Sequence, residues 1–276
     1  MLSIRLRRML TCNCHLGEGL WVNHSKAAWV DINRNQLLIC EGNEVKNYLI
    51  TNKPSIIYDG DKIEVSIGTD RGITKFNTET KKQILLTDVS NSHSVKEFRS
   101  NDGGFCGKYQ LLSFMHRNDP VKNLGYVYLV KDESFCLLDD SLHIPNSFIE
   151  IEPSKILISD SLKGQIWLYE LDDTGNLVER TLWTQLDTGI APDGGCLVGD
   201  FVFFALWDDA SIAVFDKCGR LLKKLPLPII RPTNCKFDTV HSQLWVTSAT
   251  EGLSKEQLSV YPLSGNTFVY DMEFLS

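Results

Sequence analysis

Ala28-Trp29-Val30-Asp31 and Leu244-Trp245-Val246-Thr247 are the same kind of segment near opposite ends of the chain, and four more lie between them. These are Ile63-Glu64-Val65-Ser66, Leu111-Leu112-Ser113-Phe114, Ile156-Leu157-Ile158-Ser159 and Phe201-Val202-Phe203-Phe204. Each is a short run rich in β-branched, aromatic or other apolar residues and bounded by turn residues, the composition of a strand. With Val30, Val65, Ser113, Ile158, Phe203 and Val246 as centres, the successive spacings are 35, 48, 45, 45 and 43 residues. A repeat of about 40–50 residues is the period of propeller blades.

Working outward from each centre, a turn leads to a second strand, as in Gly72-Ile73-Thr74-Lys75-Phe76 and Gly164-Gln165-Ile166-Trp167-Leu168-Tyr169. A third set follows at 84–86, 135–138, 178–182 and 221–225. Several strands per unit, repeated six times, predict an all-β fold, a six-bladed β-propeller occupying 1–276 as a single domain. Residues 3–9 are expected to supply the outer strand of the last blade and close the ring, which removes exposed sheet edges. A β-sandwich would not carry this period.

Composition limits the functions open to such a chain. Its 276 residues include 43% hydrophobic ones, enough for a large core, and its formal net charge is −7. Neutralising phosphates needs a Lys and Arg excess, so neither nucleic acid nor an anionic membrane surface is an expected partner. No stretch of about 18 apolar residues occurs. Residues 1–10 carry three arginines and lack the apolar run of a signal peptide, so they read as structured and the expected location is cytoplasmic. The eight cysteines are scattered and read as reduced thiols; Cys12-x-Cys14 has no second Cys/His pair to complete a zinc site. No paired histidines of the HExxH type, GxSxG elbow or phosphate loop is present.

The polar residues fall in register with the repeat. Glu18, Asn101, Asn146 and Asn234 precede Val30, Ser113, Ile158 and Val246 by 12 residues, and Asp193 precedes Phe203 by 10. At the entry to each blade's innermost strand, these oxygen-bearing side chains would converge on one mouth of the propeller, far apart in sequence though they are. Convergent oxygen ligands suit a hard cation. Each of them singly is also a plain turn residue, flanked as they are by Gly and Pro. Asp160 is open between lining the channel and capping a turn.

Several short stretches resemble the gluconolactonase, regucalcin and senescence-marker-protein family of six-bladed propellers. They are Leu16-Gly17-Glu18-Gly19 followed by Trp29-Val30-Asp31-Ile32, Arg99-Ser100-Asn101-Asp102-Gly103, Ile144-Pro145-Asn146, Pro192-Asp193-Gly194, and Arg231-Pro232-Thr233-Asn234-Cys235. Their order and spacing carry the resemblance nearly end to end. It implies that Glu18, Asn146 and Asp193 ligate one divalent metal ion, calcium, zinc, magnesium or manganese, and that Asp193 is also the general base. It further implies that Arg99 and Asn101 contact the substrate and that the reaction is hydrolysis of a sugar lactone by a monomer or weak dimer. Two departures stand out: Ser147 replaces a glycine beside a ligand, and 104–119 differs from the family pattern. Two alternatives keep the same residues, a phosphotriesterase or arylesterase, and a calcium-binding or interaction propeller with little catalysis.

Overall fold

The computed structural model describes residues 2–24, 26–60, 63–131 and 133–274; Met1, counted above with the first strand, lies outside them. Among these residues the repeats fold as six four-stranded antiparallel sheets, the arrangement of a six-bladed β-propeller. Among the described residues the only helix is the short Lys255–Val260, closed by a capping box between Ser254 and Gln257. No helix of the described residues is long and apolar enough to cross a membrane. Leu2–Leu10 pairs antiparallel with Thr267–Phe274 as the outer strand of the sixth sheet, so that sheet joins the two ends of the chain.

The structure adds one strand per repeat. The segments centred on Val30, Ser113, Ile158, Phe203 and Val246 are second strands, not first ones. Ahead of them run six leading strands: Gly17–Asn23, Pro54–Gly60, Phe98–Cys106, Pro145–Glu152, Ala191–Val198 and Pro232–Asp238. Glu18, Asn101, Asn146, Asp193 and Asn234 therefore sit on strands, where loops were expected. Their Gly-, Pro- and Asx-rich surroundings read as turns because turn chemistry and a bulged strand draw on the same residues. In the second repeat the pairing of Pro54 with Thr69 matches that of Gly17 with Asp31. Gly68, not Val65, is thus the counterpart of Val30, and the uneven first two spacings follow from that misplaced centre.

The chain falls into two compact units, Met1–Leu49 with Asp193–Ser276, and Ile50–Pro192. In the first unit, apolar clusters form between successive sheets. Phe203, Val214, Leu244, Val246 and Phe268 join the fifth and sixth sheets, and Leu20, Trp29, Leu38, Trp245 and Val269 join the sixth and first. In the second unit, Ile56, Tyr58, Phe98, Phe114 and Tyr128 lie between the second and third sheets, and Leu111, Val127, Phe148, Ile156 and Ile158 between the third and fourth. Each such side chain contributes about 1.5–3 kcal/mol by leaving water. Trp29 and Trp245 are core residues in this packing, while Trp167 is half-buried under the Arg180 guanidinium, 4.1 Å from its ring centroid. Burial declines across each sheet. Leading and second strands are mostly buried, whereas fourth strands expose apolar residues such as Leu49, Ile84, Leu137 and Val178. All eight cysteines are free thiols; Cys136 and Cys218 are exposed, so not all of them pack as small hydrophobes.

His93 enters the cluster between the second and third sheets, stacked on Tyr126 at 5.3 Å and edge-on to Phe114 at 4.3 Å. Burial pushes its pKa down to about 4 from an ordinary value near 6.5. A histidine held neutral in the fold takes up its proton first in the unfolded chain. Its contribution is therefore complete above pH 6.5 and is lost as pH falls towards 4. In urea titrations at pH 7 and pH 5, His93→Phe is expected to lose less stability between the two pH values than the wild type does. Equal losses would contradict this assignment.

Candidate metal centre

The leading strands share a local distortion. The pairing register shifts between Glu18 and Trp21, between Pro54 and Ile56, between Ser100 and Gly103, between Asn146 and Ile149, and between Pro232 and Asn234. Each shift is a β-bulge, a device that breaks alternation and re-aims a side chain. Two of the bulges carry left-handed backbone, at Gly19 (φ 61°) after Glu18 and at Ser147 (φ 57°) after Asn146. Ser147 thus keeps the backbone that the family's glycine would adopt, against the cost of a side chain in that region.

In the first unit, Glu18 and Asp193 are buried, 6% and 5% exposed. Glu18 Oε2 accepts from the Gly19 N–H at 3.1 Å, and Asp193 Oδ1 accepts from the Gly194 N–H at 3.0 Å. The chain leading into Glu18 is held by Asp31, whose fully buried carboxylate accepts from the N–H groups of His15 (2.7 Å) and Leu16 (3.2 Å). Arg34 adds an ion pair to the same carboxylate at 3.2 Å. Thr233 donates its hydroxyl to the carbonyl of Gly17, the residue before Glu18.

The second unit repeats this arrangement. Asn146 is 6% exposed, and its Oδ1 accepts from the Ser147 N–H at 3.0 Å. Asp160 holds the chain leading into it, accepting from the N–H groups of His143 (2.9 Å) and Ile144 (3.3 Å), and from Leu162 (3.1 Å). This decides the open question about Asp160: it caps a turn. Its Oδ2 also lies 3.1 Å from His143 Nδ1. Likewise His15 Nδ1 meets Asn33 at 2.8 Å, so each histidine near a proposed ligand belongs to the supporting layer.

Arg99 and Asn101 contact each other. Arg99 Nη1 donates to Asn101 Oδ1 at 2.9 Å and to the Ser100 carbonyl at 3.0 Å, while Asn101 Nδ2 donates to the Pro145 carbonyl at 3.1 Å. Asn101 therefore ties the third sheet to the residue before Asn146. Asp102 does the same one step on, its Oδ2 accepting from Ser147 N–H at 2.9 Å. Asp102 is 3% exposed. Together with burial, its charge raises the pKa of Tyr58, whose hydroxyl donates to the Leu111 carbonyl at 2.6 Å.

Asp31 and Asp102 are supports to which the sequence motifs assign no role. A signal for the first was present: Asp31 and Asp160 close their second strands 13 and 14 residues after Glu18 and Asn146. Asp102 follows Asn101 directly, and nothing in the sequence separates its role from a turn.

Among the described residues no group of three or more His, Cys, Asp or Glu side chains is placed to hold a metal. A set of two carboxylates and one amide lies outside that description. Glu18, Asn146 and Asp193 offer only hard oxygen donors, and two buried carboxylates carry the charge a divalent cation neutralises. Their donor chemistry fits such an ion.

Regucalcin of Bos taurus is 26% identical to the chain over 288 residues, covering 97% of this chain and 94% of its own length. Among solved structures, the calcium-binding protein regucalcin from Agrobacterium tumefaciens superposes with a TM-score of 0.87 at 20% identity, covering 96% of this chain and 93% of its own. A luciferin-regenerating enzyme does so with a TM-score of 0.85 at 17% identity, covering 100% and 96%. Residues 16–250 match the family model described as the SMP-30/Gluconolactonase/LRE-like region, and the chain belongs to that family.

Proposed function

We propose that the chain is a divalent-metal-dependent hydrolase that opens sugar lactones, aldonolactones above all. The observation that carries the reading is the common setting of Glu18, Asn146 and Asp193. Each is buried on a leading strand, with one side-chain oxygen fixed by the N–H of the next residue. Residues so held keep their geometry without reorganising during reaction. When bound to them, a divalent ion supplies Lewis acidity towards the lactone carbonyl and acidifies water.

In this reading Asp193 takes the proton as a water oxygen bonds to the carbonyl carbon. The ring C–O bond then breaks, the leaving oxygen takes a proton, and a hydroxy acid results. Arg99 offers planar, fixed donors to the hydroxyls or ring oxygen of the substrate. Asn101 holds the guanidinium and steadies the approach to Asn146. The test is acid release from gluconolactone and related lactones with and without chelator. Turnover is expected to vanish on chelation and return with added metal; turnover that survives exhaustive chelation would contradict the mechanism.

A second reading, a calcium-binding propeller with little catalysis, draws on one observation. Both ends of the Asn101 amide are bonded within the protein, which leaves it less suited to substrate. Calcium binding without turnover across the lactone series would favour it.

A further inference from the structure

Asn234 is 1% exposed, and its Oδ1 is a buried acceptor with no hydrogen-bond partner among the described residues. Such groups are rare in native proteins, because each retains its full desolvation cost. Its position is specific. The amide packs against Gly194, the residue after Asp193, so closely that a Cβ at 194 would lie 2.2 Å from Nδ2 and 2.3 Å from Cγ. Only glycine leaves room for it there. The preceding residue, Thr233, is bonded to the carbonyl of Gly17, the residue before Glu18. Within the first unit, the strand Pro232–Asp238 thus touches the neighbours of both acidic candidates and leaves one acceptor unused next to Gly194.

We propose that Asn234 determines specificity for the reaction proposed above, on which this inference rests, by receiving a hydroxyl group of a polyhydroxylated lactone. An acceptor oxygen beside a donor NH2 suits adjacent hydroxyls, one donating to Oδ1 and its neighbour accepting from Nδ2. A site built to bond a substrate hydroxyl rejects the analogue lacking it, because the protein group is then left unpaired.

The test compares gluconolactone with δ-valerolactone, a six-membered lactone without hydroxyls, on wild type and Asn234→Leu. The ratio of kcat/KM for gluconolactone over δ-valerolactone is expected to fall about tenfold in the variant, the loss of one hydrogen bond of about 1.4 kcal/mol. Its thermal midpoint is expected to be no lower than that of the wild type, since an unpaired buried amide is removed. An unchanged ratio, or an equal loss on both lactones, overturns the proposal. Should Asn234→Leu not fold, Asn234→Ala, which likewise removes the polar group, carries the same comparison. A wild type that opens neither lactone refutes the hydrolase reading itself, and this inference with it; an active wild type with an unchanged ratio refutes the inference alone.

Discussion

Asp193→Asn is expected to lower kcat/KM for lactone hydrolysis by about 100- to 10,000-fold, the range a positioned general base contributes. The substitution retains an oxygen at Oδ1, which still accepts from the Gly194 N–H as the carboxylate does at 3.0 Å. It removes the negative charge and the ability to take a proton. Metal binding, followed by calorimetry, is therefore expected to weaken but persist, while turnover is lost. Asp193→Ala removes the donor atoms as well and is expected to abolish both. A variant with an asparagine at 193 that turns over at the wild-type rate would exclude Asp193 as the base.

The second large effect is on stability. Asp31→Ala removes the acceptor of the His15 and Leu16 N–H groups and the partner of Arg34. An unpaired buried donor costs about 1–3 kcal/mol, so a loss of about 3 kcal/mol is expected in urea unfolding at neutral pH. The same change frees the chain that leads into Glu18, so divalent-metal affinity is expected to fall although Asp31 ligates nothing. Asp31→Asn keeps an acceptor oxygen and is expected to lose less on both measures. If Asp31→Ala keeps both wild-type stability and wild-type metal affinity, the supporting role assigned to Asp31 is wrong.

Much of the fold was legible because second strands are buried on both faces and keep near-continuous apolar runs such as Phe201-Val202-Phe203-Phe204. Their period declared the number of blades. The leading strands were not legible. Gly17-Glu18-Gly19, Pro145-Asn146-Ser147 and Pro192-Asp193-Gly194 look like turns, yet all three lie on or at the edge of strands, and the pairing of Glu18 with Val30 and of Asn146 with Ser159, each followed by a register shift, shows bulges. Local composition reports the bulge and hides the pairing around it. The second repeat failed for a related reason: Gly68 sits in its second strand against Ile56 and Leu112, so the apolar run breaks and the centre shifts to Val65.

At the site, the register marked out Glu18, Asn101, Asn146, Asp193 and Asn234 together, and the family resemblance implied Glu18, Asn146 and Asp193 as the ligands among them. The layer behind them was less visible. Asp31, Asp102 and Asp160 each hold backbone N–H groups, which every residue but proline carries and which therefore leave no mark in the sequence. Arg99 with Asn101 illustrates the converse, because residues marked out together prove to be bonded to each other.

The most direct test of the proposed centre is anomalous diffraction from crystals of the full chain grown with calcium. One strong peak is expected, with side-chain oxygens of Glu18, Asn146 and Asp193 about 2.3–2.6 Å from it. No peak near these residues, or a peak held by other side chains, would contradict the assignment.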